Sequence, residues 1–270
     1  MADQNPFQDF WRIVWEQDVR LIVTLTSECE RGQVKCHPYW ESGNYGPFRV
    51  DNFSQRSIYM DQSNAPPQAD DIGQTLSSME GATKLSQNGD NASSEAPCII
   101  VRHFGISHSD FPFQQLREIT QLQFPYWPDF GTTSQPSHLL QLIEQCEQVK
   151  RATDSMPVSS DEAEPPGQRP GLVHCSAGCG RTGTFCTVDS VRDILKRQRS
   201  KRRNPSGNDG GPAGAGIYDD KQDLIAKTLS DFRTQRPSMI QNLSQYVLCY
   251  ESVLEWAVSE MPSESNWPRT

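Results

Sequence analysis

The chain has 270 residues, a length that suits one large domain or two small ones. Its formal net charge of −9 argues against a general nucleic-acid partner, because the overall balance does not attract phosphate backbones. No stretch approaches the roughly 18 apolar residues of a membrane span, and no signal peptide is visible, so we expect no membrane span and a cytoplasmic location by default. Eight cysteines without a CxxC pair predict reduced thiols and no zinc or other metal.

Three polar segments interrupt the apolar pattern of the chain. Residues 61–97, 153–170 and 200–217 are rich in Ser, Asn, Gly and Pro, and such compositions bury too little apolar surface to offset the entropy of ordering. We predict that they are disordered insertions within one catalytic domain that spans residues 1–258. Residues 259–270 then form a C-terminal tail.

The remaining segments alternate between strand and helix patterns. Three short apolar runs predict buried strands; they are Val19 to Leu25, Cys98 to Phe104, and Ile119 to Phe124. Four sets of apolar residues at helical spacing follow, beginning after residues 138, 184, 223 and 245, the first of them behind the candidate cap Ser137. Early strands followed by helices interleaved with strands predict an α/β or α+β fold.

The segment with the strongest chemical signal is residues 171–183, in which a strand end leads through a glycine-rich loop into a helix. This geometry turns successive backbone N–H groups inward and places a helix N-terminus behind them, and both features bind phosphate. Gly178 and Gly180 permit the close approach of the backbone, and Arg181 can grip two phosphate oxygens. We therefore predict an anion cradle here.

Cys175 lies at the floor of this cradle. The amides and the helix dipole that attract phosphate also stabilise a thiolate, which predicts a nucleophile placed for in-line attack on phosphorus. Thr182 supplies a hydroxyl that can donate to the departing sulfur. A lone cysteine is usually a small buried hydrophobe, but the coincidence of Cys, two Gly, Arg and Thr at one strand-to-helix junction favours catalysis.

The motif His174-Cys175-Ser176-Ala177-Gly178-Cys179-Gly180-Arg181-Thr182-Gly183 resembles the signature loop of the classical cysteine-dependent protein tyrosine phosphatases. Cys179 stands where animal members often have Ile, which resembles a fungal-type variant. The resemblance runs from about Gln4 to Val258. It implies a mixed sheet flanked by helices, no cofactor, and phosphotyrosine-containing proteins as partners. It also implies that Ser176, Ala177, Gly178, Cys179, Gly180 and Arg181 bind the phosphate.

A second motif of the family is present at Trp127-Pro128-Asp129-Phe130-Gly131, which resembles the mobile loop that closes over substrate. By this resemblance Asp129 is the general acid for the leaving tyrosine and then the base that activates water. An aryloxide leaving group needs such a proton donor. Phe130 is implied to contact substrate, with Trp127 in a supporting role.

Two further segments resemble family elements. Residues 241–246 resemble the glutamine loop, in which Gln241 and Gln245 would position the hydrolytic water. Residues 30–36 resemble the segment in which Glu30 orients Arg181 and Lys35 lies at the rim of the pocket.

His174 precedes the nucleophile directly, which raises the alternative of a Cys–His dyad. Adjacent strand residues point to opposite faces, so His174 is not placed to take a proton from Cys175. We expect it to set the loop and tune the thiolate through hydrogen bonds.

The chain also departs from the family pattern. The resemblance implies that the N-terminal elements are missing, together with the Asn-Arg-Tyr loop whose Tyr stacks on the substrate ring. Three alternatives to a tyrosine phosphatase therefore stay open: a catalytically impaired phosphotyrosine-binding module, a dual-specificity phosphatase or sulfur-transfer enzyme with a similar loop, and a fragment without an independent fold.

Residues 196–203 form a basic run that is typical either of a nuclear localisation signal or of cations at a helix C-terminus, and the second reading is favoured. The sequence predicts no oligomeric state.

Overall fold

The computed structural model describes residues 6–60, 96–153, 169–203 and 222–260. The strands are β1 (Leu21–Thr24), β2 (Cys29–Glu30), β3 (Gln33–Val34), β4 (Gly43–Tyr45), β5 (Phe48–Tyr59), β6 (Cys98–His108), β7 (Arg117–Gln123) and β8 (Gly171–His174). The helices are α1 (Pro6–Glu16), α2 (Pro136–Thr153), α3 (Gly180–Arg203), α4 (Leu224–Gln235) and α5 (Leu243–Ser259).

Six of the strands form one mixed sheet in the order β4-β5-β6-β7-β1-β8, while β2 and β3 pair as a separate hairpin. Strand β1 is parallel to both of its neighbours, β7 and β8, and the other pairs of the large sheet are antiparallel. The carboxyl ends of β1, β7 and β8 therefore meet at one edge of the sheet. Ligands bind preferentially at such an edge, and the loops after these three strands carry the predicted site residues.

Each face of the sheet is covered by a hydrophobic core. Along β1, Leu21 and Val23 face the core beneath helices α2, α3, α4 and α5, while Ile22 faces the core beneath α1. This alternation follows from the two-residue period of a strand, and burial on both faces explains the unbroken apolar run. Trp11 of α1 is fully buried in the second core.

The sequence predicted the elements around the site well and missed the rest of the sheet. The three predicted strands correspond to β1, β6 and β7, and the four predicted helices to α2, α3, α4 and α5. The predicted cap Ser137 is wrong, because α2 begins one residue earlier at Pro136, a residue favoured at the first helical position. The long strand β5 was missed, since most of its length carries no apolar alternation and is exposed.

The predicted insertions 61–97, 153–170 and 200–217 and the predicted tail 259–270 lie outside the described residues, apart from their edges. Those edges are structured: Pro97 accepts a main-chain hydrogen bond from Met60, Arg169 pairs with Asp18, and α3 continues to Arg203. Within the described ranges, no helix is long and apolar enough to cross a membrane.

Candidate active site

The loop between β8 and α3 is built as the sequence predicts. Gly178 adopts a left-handed φ of +64°, which favours glycine, and helix α3 begins at Gly180 directly behind the loop. Cys175 is 6% exposed at the base of this loop. Burial opposes ionisation of its thiol, but hydrogen bonds from the hydroxyl and N–H of Thr182 and from the N–H of Cys179, together with the charge of Arg181, hold the thiol's pKa below its ordinary value.

Arg181 is the most deeply buried charge of the site, with 1% of its surface exposed. Its Nη1 donates to Oε1 of Glu30 and, at 2.8 Å, to the main-chain oxygen of Trp127. Its Nη2 donates to Oδ1 of Asp129 at 3.2 Å. Nε has no hydrogen-bond partner among the described residues, while the buried hydroxyl of Thr182 is the group that acts on the thiol. The buried Nε of Arg181 is thus left for an anion, because buried polar groups are normally paired.

The loop after β7 brings Asp129 to the same edge. Trp127 is fully buried, and its indole N–H donates to the main-chain oxygen of Gly131 at 3.0 Å, which closes the loop on itself. Oδ2 of Asp129 accepts from Nζ of Lys35 at 2.8 Å. Partial burial raises the pKa of the Asp129 carboxyl, but Lys35 and Arg181 outweigh it and hold the pKa below the ordinary range.

Phe130 adopts a left-handed φ of +56° and leaves 65% of its surface exposed at the rim of the site. Its main-chain oxygen, rather than its ring, is fixed by the structure, since it accepts from Nδ2 of Asn242 at 2.8 Å. A non-glycine residue rarely adopts this conformation, so the loop is strained where it meets the segment before α5.

Gln241 and Gln245 lie against the glycine-rich loop. A Cβ at Gly180 would approach Oε1 of Gln241 to 2.6 Å and the side-chain amide of Gln245 to 2.9 Å. Gln245 is fully buried, and its Oε1 accepts from the N–H of Gln241 at 3.0 Å. Asn242 caps helix α5 by accepting from the N–H of Gln245, which fixes the position of both glutamines.

His174 lies at the end of β8, and its imidazole contacts the main chain rather than the thiol. Its Nδ1 is 3.1 Å from the main-chain oxygen of Cys175, and its Nε2 is 2.8 Å from the hydroxyl of Tyr39. Burial lowers the pKa of the imidazole. This geometry agrees with the expected structural role and provides no direct Cys–His dyad.

The structure therefore gathers the predicted loop, acid, arginine and glutamines at one edge of the sheet, and it adds residues that the sequence did not single out. Nη2 of Arg236 donates to the main-chain oxygen of Ala177 at 2.7 Å, across the glycine-rich loop. Thr26 donates to Glu30 at 2.9 Å. Asn242 lies within residues 241–246, which the sequence indicates for their glutamines, and Tyr39 lies three residues after the segment 30–36. Arg236 and Thr26 carry no sequence signal, because a single arginine or threonine in a loop is indistinguishable from a solvated one.

Comparison with known proteins gives a single family. The model of the protein-tyrosine phosphatase family matches residues 2–255. Tyrosine-protein phosphatase 3 of Saccharomyces cerevisiae is 28% identical over 94% of this chain, and human tyrosine-protein phosphatase non-receptor type 9 is 30% identical over 95% of it. The chain spans only 30% and 34% of the lengths of these two proteins.

A solved structure gives the same result for the fold. The catalytic domain of human protein tyrosine phosphatase non-receptor type 18 superposes with a TM-score of 0.59 at 27% sequence identity. The match covers 93% of this chain and 64% of the other. The mixed sheet flanked by helices that the sequence predicted is thus confirmed.

Proposed function

The chain belongs to the protein-tyrosine phosphatase family, and from that premise we propose that it hydrolyses phosphotyrosine in proteins through a cysteinyl-phosphate intermediate. Cys175 is the nucleophile, Arg181 and the loop amides bind the phosphate, and Asp129 is the general acid and base. No metal or organic cofactor takes part in this proposal.

In the first step the Cys175 thiolate attacks phosphorus, the bond between phosphorus and the tyrosine oxygen breaks, and Asp129 gives its proton to that oxygen. The products are a dephosphorylated tyrosine side chain and a phosphocysteine, with Asp129 left as a carboxylate. A bound phosphate dianion supports the required protonation of Asp129, because it repels the carboxylate and competes for Lys35 and Arg181. Stabilisation of the equatorial oxygens by preorganised donors supplies most of the rate enhancement.

In the second step water attacks the phosphocysteine and Asp129 takes a proton from that water. The sulfur–phosphorus bond breaks, phosphate leaves, and the thiolate and protonated acid are restored. Gln241 and Gln245 are suited to position this water, since both lie against Gly180 on the side of the loop next to α5. The hydroxyl of Thr182 stabilises the departing sulfur.

The observation that carries the proposal is the buried Nε of Arg181, which has no hydrogen-bond partner among the described residues, together with the Thr182 hydroxyl, which acts on the Cys175 thiol. An anion seated above Cys175 satisfies the first, and the thiolate satisfies the second. Leaving such groups unpaired costs about 1–3 kcal/mol each, so this arrangement favours an anion-binding nucleophile over a structural cysteine.

Hydrolysis of a phosphotyrosine peptide and of phenyl phosphate by the chain tests the proposal, with Cys175→Ser as the inactive control. Phosphate release that Cys175→Ser abolishes is the expected result. Binding of the peptide without turnover would instead favour the phosphotyrosine-binding module, and equal or faster hydrolysis of a matched phosphoserine peptide would favour a dual-specificity phosphatase. Thermal unfolding of the same samples tells an inactive folded chain from an unfolded one.

The cellular location belongs to the same proposal. We propose that the chain acts in the cytoplasm on phosphotyrosine-containing proteins, with the basic run 196–203 as the basis for a nuclear alternative. Microscopy of a tagged chain distinguishes the two, with a variant in which Arg197 and Arg199 are replaced by Gln as the matched control.

A further inference from the structure

A continuous row of hydrogen-bonded polar side chains crosses the sheet and ends at His174. We call this row, formed by Arg102, Gln121, Tyr39 and His174, the relay. Nη1 of Arg102, on β6, donates to Oε1 of Gln121 at 3.0 Å. Nε2 of Gln121, on β7, donates to the hydroxyl of Tyr39 at 3.0 Å. That hydroxyl is 2.8 Å from Nε2 of His174, and Nδ1 of His174 is 3.1 Å from the main-chain oxygen of Cys175.

The groups at the two ends of the relay, the Arg102 guanidinium and the Cys175 main-chain oxygen, determine which partner donates in each hydrogen bond. A guanidinium can only donate, so the Gln121 oxygen faces Arg102 and its NH₂ group faces Tyr39. A carbonyl can only accept, so Nδ1 of His174 carries a proton that it donates to Cys175. A neutral imidazole then presents the lone pair of Nε2 to Tyr39, whose own proton completes the relay.

Thr24 strengthens the same arrangement. Its hydroxyl accepts from Nε2 of Gln121 at 2.8 Å and lies 2.8 Å from the Tyr39 hydroxyl and 3.1 Å from Nε2 of His174. Because Gln121 supplies donors to both hydroxyls, each of them retains its own proton to give onward. Thr24, Gln121 and Tyr39 are all buried, so water does not compete for these positions.

We propose that Gln121 is a positioning residue that holds His174 in the neutral tautomer with its proton on Nδ1, and thereby fixes the main-chain carbonyl at the base of the nucleophile loop. This inference rests on the proposed function only in taking Cys175 as the nucleophile. Gln121 contacts neither the thiol nor the phosphate cradle and acts through Tyr39 and His174. A neutral His174 leaves Thr182, the loop amides and Arg181 as the groups that set the ionisation of Cys175.

Other charged and titratable groups reach the relay. Arg102 is buried and also donates to Gln55 and Gln123. Glu28 acts on Arg102 through its charge. Burial raises the pKa of the Cys36 thiol to about 11, so Cys36 is neutral near pH 7. Gln123 is a useful reference, because it is a second buried glutamine that accepts from the same Nη1 of Arg102, at 2.7 Å, while its own Nε2 donates to the main-chain oxygen of Thr26 rather than to Tyr39.

The test is nitrogen NMR of the full chain labelled at its five histidines, with His174→Asn for assignment. In the unaltered chain we expect a protonated Nδ1 and an unprotonated Nε2 for His174 at pH 7. Gln121→Glu replaces the amide donor by a carboxylate, which accepts a hydrogen bond from the Tyr39 hydroxyl. The Tyr39 oxygen then accepts from Nε2 of His174, which favours a protonated imidazole. We expect the titration midpoint of His174 to rise by about one unit or more above that in Gln123→Glu, which adds the same charge against the same arginine.

A second readout follows the nucleophile. An imidazolium at His174 favours the thiolate, so Gln121→Glu should move the pH midpoint of Cys175 alkylation downward relative to Gln123→Glu. Equal His174 midpoints in the two variants, or an Nε2–H tautomer in the unaltered chain, would overturn the proposal. If Gln121→Glu fails to fold, Tyr39→Phe provides the test. Loss of the ring-nitrogen signals that report a His174 tautomer with its proton on Nδ1 would support the relay, and unchanged signals would contradict it. Neither readout needs turnover, so an inactive chain would refute the proposed function and leave this inference standing.

Discussion

Glu30 and the buried Arg181 form an ion pair across 151 residues of sequence, and the same carboxylate also holds the acid loop. Oε1 of Glu30 accepts from Nη1 of Arg181, while Oε2 accepts from the main-chain N–H of Asp129 at 2.8 Å. One side chain on the β2–β3 hairpin thus connects Arg181, the proposed phosphate-binding residue, to the loop that carries Asp129, the proposed general acid. We therefore expect a displacement of Arg181 to be coupled to a displacement of the loop around Asp129.

Replacing this carboxylate should disturb both partners together. Glu30→Gln keeps the shape but removes the charge that orients Arg181, and we expect kcat/KM for phenyl phosphate to fall about 10- to 100-fold. Steady-state kinetics measures the loss. The control is Glu28→Gln, which removes the same charge from an exposed side chain two residues earlier. Equal kinetics in the two variants would show that Arg181 does not depend on Glu30.

The same pair predicts how stability changes with acid. Burial raises the pKa of Glu30, but Arg181, the N–H of Asp129 and Thr26 outweigh it and lower the pKa in the folded chain. A group with a depressed pKa contributes stability above its unfolded value of about 4.3, and that contribution disappears as the pH falls through the folded pKa. Thermal unfolding between pH 7 and pH 3 should therefore show a shallower loss of Tm in Glu30→Gln than in the unaltered chain. Parallel plots of Tm against pH for the two chains would contradict this contribution of Glu30 to stability.

The nucleophile should ionise well below the pH of an ordinary thiol. We expect the midpoint of Cys175 alkylation by iodoacetamide, followed by mass spectrometry, to lie below about 8.5. Cys186 and Cys249 provide internal references, because burial raises both of their pKa values to about 12. Selective labelling of Cys175 over these two at neutral pH is the expected outcome.

Thr182 should account for part of that shift. Thr182→Val removes a hydroxyl that stabilises the thiolate, so the Cys175 midpoint should rise, and Thr182→Ser should restore it. Thr187→Val is the matched control, since Thr187 is likewise buried on α3 but is not among the groups that act on the thiol. A similar rise in both valine variants would point to a general loss of packing.

The parts of this site that the sequence predicts are those whose chemistry is local. The loop around Cys175 is a strand, a turn and a helix N-terminus in one stretch, so its residue types and spacing suffice. The relay through Gln121 could not be predicted in this way, because Gln121, Thr24 and His174 come together only through the register of β7, β1 and β8, and Tyr39 reaches them from the segment between β3 and β4. Strand β5 was missed for a related reason, since an exposed strand carries no apolar period.

The pKa of Asp129, the proposed general acid, should respond to the charge of Lys35. Asp129 acts as an acid only while protonated, and its pKa is held down by Lys35 and Arg181 against the opposite effect of burial. Lys35→Met removes one of these cations, so the Asp129 pKa should rise and the alkaline limb of the kcat/KM profile should move to higher pH. Lys35→Arg keeps the charge and should leave the limb in place. If the alkaline limb of Lys35→Met stays in place, that limb does not report the ionisation of Asp129.

The leaving group gives an independent test of the same acid. We expect Asp129→Asn to slow hydrolysis of phenyl phosphate by about 10²–10⁴-fold, the usual range for loss of a general acid. An aryl phosphate with an acidic phenol needs less protonation and should lose less. Rapid quench kinetics that separates phenol release from phosphate release measures both. The same loss for both substrates would mean that Asp129 does not protonate the leaving oxygen.

Gly180, at the end of the glycine-rich loop, and Gly183, in the first turn of helix α3, should have different effects when they are replaced by alanine. At Gly180 the added Cβ meets only side-chain ends, with Oε1 of Gln241 at 2.6 Å and the amide of Gln245 at 2.9 Å, whereas at Gly183 it meets the main-chain nitrogen of Ile240 at 2.5 Å. Side-chain ends can move and main chain in a packed core cannot, so we expect Gly183→Ala to destabilise the fold by about 1–3 kcal/mol. Gly180→Ala should retain Tm within a few degrees yet displace Gln241 from the position of the hydrolytic water. Its burst of phenol release should then persist while steady-state phosphate release slows. A large loss of Tm in Gly180→Ala, or an unslowed second step, would contradict the placing of Gln241 against this loop.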